Sequence, residues 1–292
     1  MYSLQKLKGL EPTKTWQRRL PDQYSASAAT AQKFYIDLPR DHFIHKIIIA
    51  ISESSSKAFD PSNLADDIVN IQLVGNGNKY IKDMTGAMCK QVMKLNKEKP
   101  ATGFYVLYFS DPKIPIAKPL PAWVFTSLQL IIEDNAPASG KYHTVHVTLV
   151  ESAYQGEDIT DWHILIEKYL RWAKFGSNTG WQRYEHERAY EVFGYLYCMD
   201  DNGTLSDTVF DKLKLLARTK EKEITIISEV PISVIKAENN AEISVDTLDT
   251  GFFALEWVDG FPTHEFTSLY SYLNIPSAGT NVGLRVLERY VL

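Results

Sequence analysis

The sequence predicts an all-β protein built from two tandem β-sandwich domains with a short helix between them. Three observations support this prediction: aromatic and β-branched residues fall in short runs typical of strands, one segment has helical periodicity, and a block of sequence recurs in the second half of the chain. A chain of 292 residues has the length of about two average domains, and it can bury about three quarters of its unfolded surface.

Composition and charge exclude several classes of protein. Apolar residues at 45% and charged residues at 23% are ordinary globular values, which argues against wholesale disorder, a collagen-like chain or a coiled coil. The net charge of -5 argues against a protein that coats DNA or RNA. Cys89 and Cys198 have no metal-ligand spacing and are expected to be buried free thiols. We expect neither a secretory signal nor a membrane-spanning segment, and therefore assembly in a cytoplasm.

Twelve runs rich in Val, Ile, Tyr and Phe are predicted to be strands, because these side chains suit a half-buried pleated surface. The runs are 34–38, 45–52, 68–74, 103–110, 125–133, 142–150, 192–198, 223–228, 232–236, 242–245, 251–258 and 282–291. Many short strands with few helices favour sandwiches or barrels.

One segment near the middle of the chain is predicted to be a helix. Between Thr160 and Lys174, apolar residues recur at spacings of three and four. These residues are Trp162, Leu165, Ile166, Tyr169, Leu170 and Ala173. Thr160 or Asp161 could cap the helix, Gly176 would end it, and it would connect the two β domains. A second stretch, 206–217, fits either a helix or a strand by its spacing.

An internal repeat defines the domain unit. The first half contains Thr102-Gly103-Phe104 followed by Phe125-Thr126-Ser127-Leu128, and the second half contains Thr250-Gly251-Phe252 followed by Phe266-Thr267-Ser268-Leu269. The two tetrads lie about half a chain length apart, so the repeating unit is a domain. A parallel between the residues that follow Asp66 and Asp207 favours a strand in 206–217.

Each domain would hold about eight strands, which is the number in a jelly roll. The predicted boundaries are an N-terminal arm at 1–31, a first jelly roll at 32–155, a connector with the helix at 156–180, and a second jelly roll at 181–292.

The sequence contains no recognisable catalytic motif. His186-Glu187 and His264-Glu265 do not continue into a zinc-protease motif, and no GxSxG nucleophile elbow occurs. His143 and His146 stand three apart on a predicted strand, so they face opposite sides of the sheet and cannot share an ion. A calcium site at Asp66-Asp67 would need oxygen ligands from other loops. We therefore expect no enzyme activity, no catalytic residues, no cofactor and no metal.

Two duplicated β-sandwiches without a recognisable active site resemble the double jelly-roll major capsid proteins of tailless icosahedral viruses, especially bacteriophages with an internal lipid membrane. The resemblance covers 34–150 and 184–292. It implies a structural subunit of the virion shell, assembled in the host cytoplasm, in which a homotrimer forms a pseudo-hexagonal capsomer. The implied partners are neighbouring capsomers, penton proteins and minor capsid proteins, with no sequence-specific nucleic acid.

Other classes of protein remain open at this stage. A carbohydrate-binding or glycan-processing double β-sandwich protein could use its 6 Trp and 16 Tyr residues to stack on sugars. Enzymes of that kind act outside cells, where a signal peptide and disulfides are usual. A viral spike or tail fibre is a further alternative.

The N-terminal arm is basic in an acidic protein, because its first 19 residues hold five bases and the single acid Glu11. We expect the arm to lie on the inner face of the shell and to contact anionic lipid, to which bases near a membrane surface are attracted. The residues that would face the membrane are Lys6, Lys8, Lys14, Trp16, Arg18 and Arg19. The alternative is a solvated terminus with incidental lysines.

Overall fold

The computed structural model describes residues 15–110, 114, 116–153, 156, 159–160, 162–188, 191–243 and 246–291. They fall into two compact units. Unit 1 contains the chain up to Lys90 together with Pro100–Leu165, and unit 2 contains Gln91–Lys99 together with the chain from Ile166 onward.

The strands and helices follow one another in this order. The strands up to the middle of the chain are β1 (Trp16–Arg19), β2 (Gln23–Tyr24), β3 (Lys33–Asp37), β4 (His42–Ser54), β5 (Ile68–Gly75), β6 (Lys79–Thr85), β7 (Phe104–Tyr108), β8 (Ala117–Lys118), β9 (Leu120–Pro121), β10 (Leu128–Asp134) and β11 (Tyr142–Ala153). The later strands are β12 (His163–Gly176), β13 (Gly180–Glu185), β14 (Glu191–Asp201), β15 (Thr204–Leu205), β16 (Lys212–Arg218), β17 (Glu223–Pro231), β18 (Phe252–Phe261), β19 (Ser268–Ile275) and β20 (Val282–Val291). Helix α1 spans Gly86–Leu95 and helix α2 spans Ile232–Ile243.

Unit 1 is a sandwich of two sheets. One sheet has the strand order β1-β11-β4-β7, and the other has the order β3-β10-β5-β6. Strand β10 shows why the sheets pack, because Leu128, Leu130 and Ile132 are buried and alternate with more exposed residues. This alternation places one face of the strand in the core and the other towards solvent.

Unit 2 repeats this arrangement. One sheet contains β12, β20, β14 and β18 in that order, and the other contains β13-β19-β16-β17. In both units the first, third, sixth and eighth main strands form one sheet, while the second, fourth, fifth and seventh form the other. A helix follows the fifth main strand of each unit, α1 after β6 and α2 after β17. The prediction of two eight-stranded jelly rolls is therefore confirmed, and the recurring blocks occupy equivalent places in them.

The predicted connecting helix is wrong. His163–Gly176 is strand β12, which lies beside β20 in unit 2 just as β1 lies beside β11 in unit 1. Leu165, Ile166 and Glu167 are all buried. The apolar residues recur at helical spacing, but pairing with β20 makes the segment a strand, so the sheet overrides the local pattern.

The assignment around α2 is also corrected. The strands predicted at 232–236 and 242–245 are wrong, because residues 232–243 form helix α2, and residues 244–245 lie outside the described part of the chain. Helix α1 is a second helix that the sequence pattern does not predict. Pro231 stands directly before α2, where its fixed φ suits a helix start. The Asn239 side chain bonds both backbone polar groups of Ala254, which holds α2 against β18. The ambiguous stretch 206–217 contains strand β16.

The predicted arm boundary is too late in the chain. Strands β1 and β2 both pair with β11, so residues from Trp16 onward belong to a sheet of unit 1. Between them, Leu20 is buried and its backbone N–H donates to Val147. Residues 1–14 of the predicted arm lie outside the described part of the chain.

Both cysteines are buried free thiols, as predicted. Burial raises the pKa of the Cys198 thiol to about 12, so this sulfur stays protonated at neutral pH. Among the residues that the structure describes, neither helix has the length and apolar character needed to cross a membrane.

Candidate functional sites

The predicted membrane-facing residues divide into two groups. Lys6, Lys8 and Lys14 lie outside the described residues. Trp16, Arg18 and Arg19 lie in strand β1, and the ring of Trp16 packs edge-on against His42. The basic side chains in β1 have acidic partners within unit 1, since Arg19 pairs with Asp22 at 3.0 Å.

Arg18 lies at the centre of a charged cluster in unit 1. Its Nε is 2.8 Å from Glu151 Oε2, its guanidinium reaches both oxygens of Asp41, and it contacts Nδ1 of His42 at 2.9 Å. The bond from Arg18 lowers the pKa of Asp41 to about 2. Glu151 is fully buried, and this burial raises the pKa of its carboxyl group although Arg18 acts against the shift. Arg18 therefore neutralises carboxylates of the fold.

The repeated Thr-Gly-Phe blocks have the same structural role in both units. In unit 1, the Asp66 carboxylate accepts a bond from the Gly103 N–H at 2.6 Å and pairs with Lys90 of α1. In unit 2, Asp207 accepts from the Gly251 N–H at 2.7 Å and pairs with Lys236 of α2. The aspartate thus ties the helix to the start of the following strand.

Each lysine of this network makes a second equivalent contact. Lys90 donates to the Ala101 carbonyl at 3.2 Å, and Lys236 donates to the Asp249 carbonyl at 2.9 Å. Both carbonyls stand two residues before the glycine of the block. The duplication therefore extends to individual hydrogen bonds.

The Phe-Thr-Ser-Leu tetrads are also held alike. Arg40 donates to the carbonyl of Phe125 at 2.7 Å, and Arg188 donates to the carbonyl of Phe266 at 3.2 Å. In each unit the tetrad follows a short 3-10 helix, Ala122–Val124 or Thr263–Glu265. The tetrads therefore mark the same turn into the seventh main strand, which is a structural role.

A histidine with three carboxylates lies at one end of unit 1. His143 is fully buried, its Nδ1 is 2.7 Å from Asp134 Oδ2, and its Nε2 is 3.2 Å from Asp67 Oδ2 and 3.7 Å from Glu53 Oε2. Burial lowers the pKa of His143, but the three carboxylates raise it by more than burial lowers it. Asp134 makes the largest of these contributions, and the net shift of the pKa is upward. His146, as predicted, points elsewhere, towards Asp22.

Unit 2 has a buried polar network around His186. His186 Nδ1 lies 3.1 Å from Glu288 Oε1, and its Nε2 lies 2.7 Å from the Ser271 hydroxyl, which also contacts the Tyr197 hydroxyl at 2.6 Å. The His186 ring stacks on Tyr195 at 4.0 Å between centroids. Burial raises the pKa of Tyr195 and Tyr197, so both phenols remain neutral in the physiological range.

The stability of unit 2 is expected to depend on pH through Glu288. Burial raises the pKa of its carboxyl group above the ordinary value, although His186 lowers it. The free energy of unfolding therefore falls as pH rises from about 4.3 through the raised pKa, because in this range the Glu288 carboxyl group ionises in the unfolded chain but not in the folded one. Glu288→Gln should gain stability relative to wild type between pH 4 and pH 8, by about 1.4 kcal/mol for each unit of the shift. Urea unfolding at both pH values measures the gain, and an equal difference at the two values would contradict the assignment.

Every tryptophan in the chain has an aromatic or cationic neighbour. Trp123 and Trp162 pack on Phe43, Trp257 packs on Phe261, and Trp16 packs on His42. Lys174 and Arg285 lie over the ring of Trp172, and Lys214 lies 4.0 Å from the ring centroid of Trp181. A stacked ring or a cation therefore already covers ring surface of Trp162, Trp257, Trp172 and Trp181.

The fold is that of the double jelly-roll proteins. Structures that match it include the crystal structure of the STIV MCP, from Sulfolobus turreted icosahedral virus, with a TM-score of 0.71 and 16% identity over 94% of this chain and 96% of that one. The crystal structure of the major capsid protein P2 from bacteriophage PM2 matches with a TM-score of 0.68 and 11% identity over 96% of this chain and 98% of that one.

A quasi-atomic model of the PBCV-1 virus capsid matches with a TM-score of 0.60 and 10% identity, covering 97% of this chain and 94% of that one. No protein-family model and no curated protein matches the sequence. At these identities the similarity establishes the fold, and the predicted double jelly roll is confirmed.

Proposed function

We propose that the chain is the major capsid protein of an icosahedral virus and forms the shell of the virion. One observation carries the proposal: two jelly rolls with the same strand order stand in one chain, and the match to capsid proteins extends over at least 94% of both partners in each of the three comparisons. The similarity thus includes the tandem arrangement, with little sequence left over on either side.

The proposed unit of assembly is a homotrimer that forms a pseudo-hexagonal capsomer. Each chain has two similar domains, so a trimer contains six. A threefold assembly can therefore occupy a nearly sixfold position in a shell. The repeated Asp66–Gly103 and Asp207–Gly251 bonds support this, because they make the two units alike down to their hydrogen bonds. Neighbouring capsomers, penton proteins and minor capsid proteins are the further proposed partners.

An exposed strand edge in unit 2 favours self-association. Strand β17 is the terminal strand of its sheet in the described topology, and it is nine residues long. Ile224, Ile226 and Val230 on this strand are only half-buried. An open edge of this length with partly exposed apolar residues is normally covered by another element or another chain.

Trimer formation can be tested directly by native mass spectrometry. We expect a species of three times the 33.2 kDa chain mass at micromolar concentration. Ile226→Lys should weaken the trimer because it places a charge beside the open edge, whereas Val234→Lys, on an exposed position of α2, should not. A monomer under all salt conditions would contradict the proposed capsomer.

The lipid contact proposed for the arm depends on Lys6, Lys8 and Lys14, because Arg18 and Arg19 have acidic partners. Deletion of residues 1–14 is expected to abolish flotation of the protein with anionic phospholipid vesicles and to leave the trimer intact. Arg19→Ala is the matched control and should float normally. Unchanged flotation after the deletion would show that the arm does not bind lipid.

Glycan recognition remains the alternative function. An open depression in unit 1, lined in part by Asp37, Arg40, Asp41 and Trp123, is the place where a sugar could bind. A glycan array with the full chain separates the two functions. Selective glycan binding that Trp123→Ala removes, by a protein that forms no capsomers, would favour the lectin.

A further inference from the structure

We propose that Glu53, Asp67 and His143 form a binding site for a divalent transition-metal ion of the Zn²⁺ class at one end of unit 1. The three side chains each offer one ligand atom, and these atoms all lie within 4.8 Å of one another. All three residues belong to one unit, so the site would exist whatever the chain assembles into.

The topology brings the ligands together from both sheets. Glu53 near the end of β4 and His143 near the start of β11 are directly paired across neighbouring strands. Asp67 stands immediately before β5, and Asp134 ends β10 in the other sheet. A bound ion would therefore link the two sheets of the sandwich at this end.

The orientation of His143 is that of a metal ligand. Its Nδ1 is 2.7 Å from the fully buried carboxylate of Asp134, an arrangement that fixes the ring and leaves Nε2 as the ligand atom. Nε2 is completely buried and makes no hydrogen bond, although it is aimed at Asp67 and Glu53. A bare lone pair facing two carboxylates is unfavourable unless a proton or a metal ion stands between them.

The distances suit a small cation. Tetrahedral bonds of 2.0–2.1 Å place adjacent ligand atoms about 3.3 Å apart. In the structure, Nε2 is 3.2 Å from the Asp67 oxygen and 3.7 Å from the Glu53 oxygen. The Asp67 side chain is 33% exposed, so solvent and an ion can reach the site from its side and water can complete the coordination.

The charges also favour a divalent ion. With His143 neutral, Glu53, Asp67 and Asp134 bring three negative charges, and Lys141, 2.9 Å from Glu53, brings one positive charge. A divalent cation balances the remainder. Imidazole together with carboxylate ligands favours zinc over calcium or magnesium, which prefer oxygen alone.

A second cluster in unit 1 serves as an internal contrast. Asp41, His42 and Glu151 also offer three converging ligand atoms. There the Arg18 guanidinium already contacts all three residues, so the cation is supplied by the protein itself. Variants at Asp41 are therefore suitable controls for variants at Asp67.

Isothermal titration calorimetry of the EDTA-treated full chain with ZnCl₂ tests the proposal, together with thermal unfolding. Wild type should bind one Zn²⁺ per chain and unfold at a higher temperature with the ion. Asp67→Asn should bind at least tenfold more weakly, and Asp41→Asn should bind like wild type. Binding should also weaken at acidic pH, because protons compete for Nε2.

Substitution with Co²⁺ gives a readout that a loss of stability alone would not change. Visible absorption bands of a tetrahedral nitrogen and oxygen site should appear in wild type and in Asp41→Asn, and they should be absent in His143→Gln. Equal Zn²⁺ affinity in wild type and Asp67→Asn, or a response to Ca²⁺ as strong as that to Zn²⁺, would overturn the site. His143 would then be an imidazolium held by its carboxylates.

Discussion

Gly251→Ala is expected to destabilise unit 2 by about 2–5 kcal/mol. Gly251 has a φ of +81°, a conformation that costs a residue with a Cβ roughly 1–2 kcal/mol. A Cβ here would also lie 2.7 Å from the Met199 carbonyl oxygen and 3.0 Å from the Ser206 nitrogen. Overpacking against backbone that cannot move away costs about 1–3 kcal/mol more.

Gly103→Ala should have a similar effect in unit 1, since its φ is +70° and the added Cβ would lie 2.9 Å from the Ile51 carbonyl oxygen. Gly203→Ala and Gly140→Ala are the matched controls, because the φ values of +84° and +76° at these glycines are similar but an added Cβ would meet no atom within 4 Å. Differential scanning calorimetry should show a larger loss for each repeat glycine than for its control. Equal losses would mean that the repeated glycines are needed only for their positive φ, and that the close approach of the neighbouring backbone contributes nothing.

Arg18→Ala is expected to destabilise unit 1 by about 1–3 kcal/mol at neutral pH. The substitution leaves the fully buried Glu151 without its cationic partner, and an unsatisfied buried group costs about that amount. Arg19→Ala is the control, because Arg19 is 63% exposed and its surface pair with Asp22 contributes little.

The effect of Arg18→Ala should depend on pH. Burial already raises the pKa of Glu151, and loss of Arg18 removes an interaction that lowers it. The variant should therefore lose more stability relative to wild type as pH rises through the raised pKa of Glu151, because Arg18 stabilises the ionised carboxylate in the folded protein. Urea unfolding at pH 4.5 and pH 7.5 measures this difference. A loss that is larger at pH 4.5 would contradict the role of Arg18 as the partner of Glu151.

The repeat could be predicted from the sequence because its causes are local. Gly103 and Gly251 are needed for a positive φ and a close backbone approach, and the aspartates that bond their N–H groups also stand at corresponding positions. These requirements preserve the same residue types in the same order. The strand runs alone predict the domains less completely, since β6, β13 and β19 lie outside the predicted runs.

The errors arose where local pattern and tertiary context disagree. The segment His163–Gly176 has apolar residues at helical spacing, but unit 2 uses it as the strand beside β20. The segment Ile232–Ile243 is rich in isoleucine, yet it forms the helix whose Lys236 bonds Asp207. The local sequence of each segment does not show that β20 or Asp207 will be its partner.

The histidine cluster could not be predicted, because its residues come from separate parts of the chain. The strand periodicity separated His143 from His146 correctly, and Asp66 and Asp67 were expected to need ligands from elsewhere. The structure gives the two aspartates different roles: Asp66 bonds Gly103, whereas Asp67 faces His143. Glu53 belongs to no recognisable motif in the sequence, and only the pairing of β4 with β11 places it beside His143.

Cryo-electron microscopy of the assemblies formed by the purified chain tests the proposed capsid function most directly. We predict capsomers of three chains in which six upright jelly rolls form a pseudo-hexagonal ring, tiled into flat sheets or closed icosahedral shells. Strand β17 should lie at a contact between chains. A protein that stays monomeric at high concentration, or assemblies whose unit is not a trimer, would contradict the account.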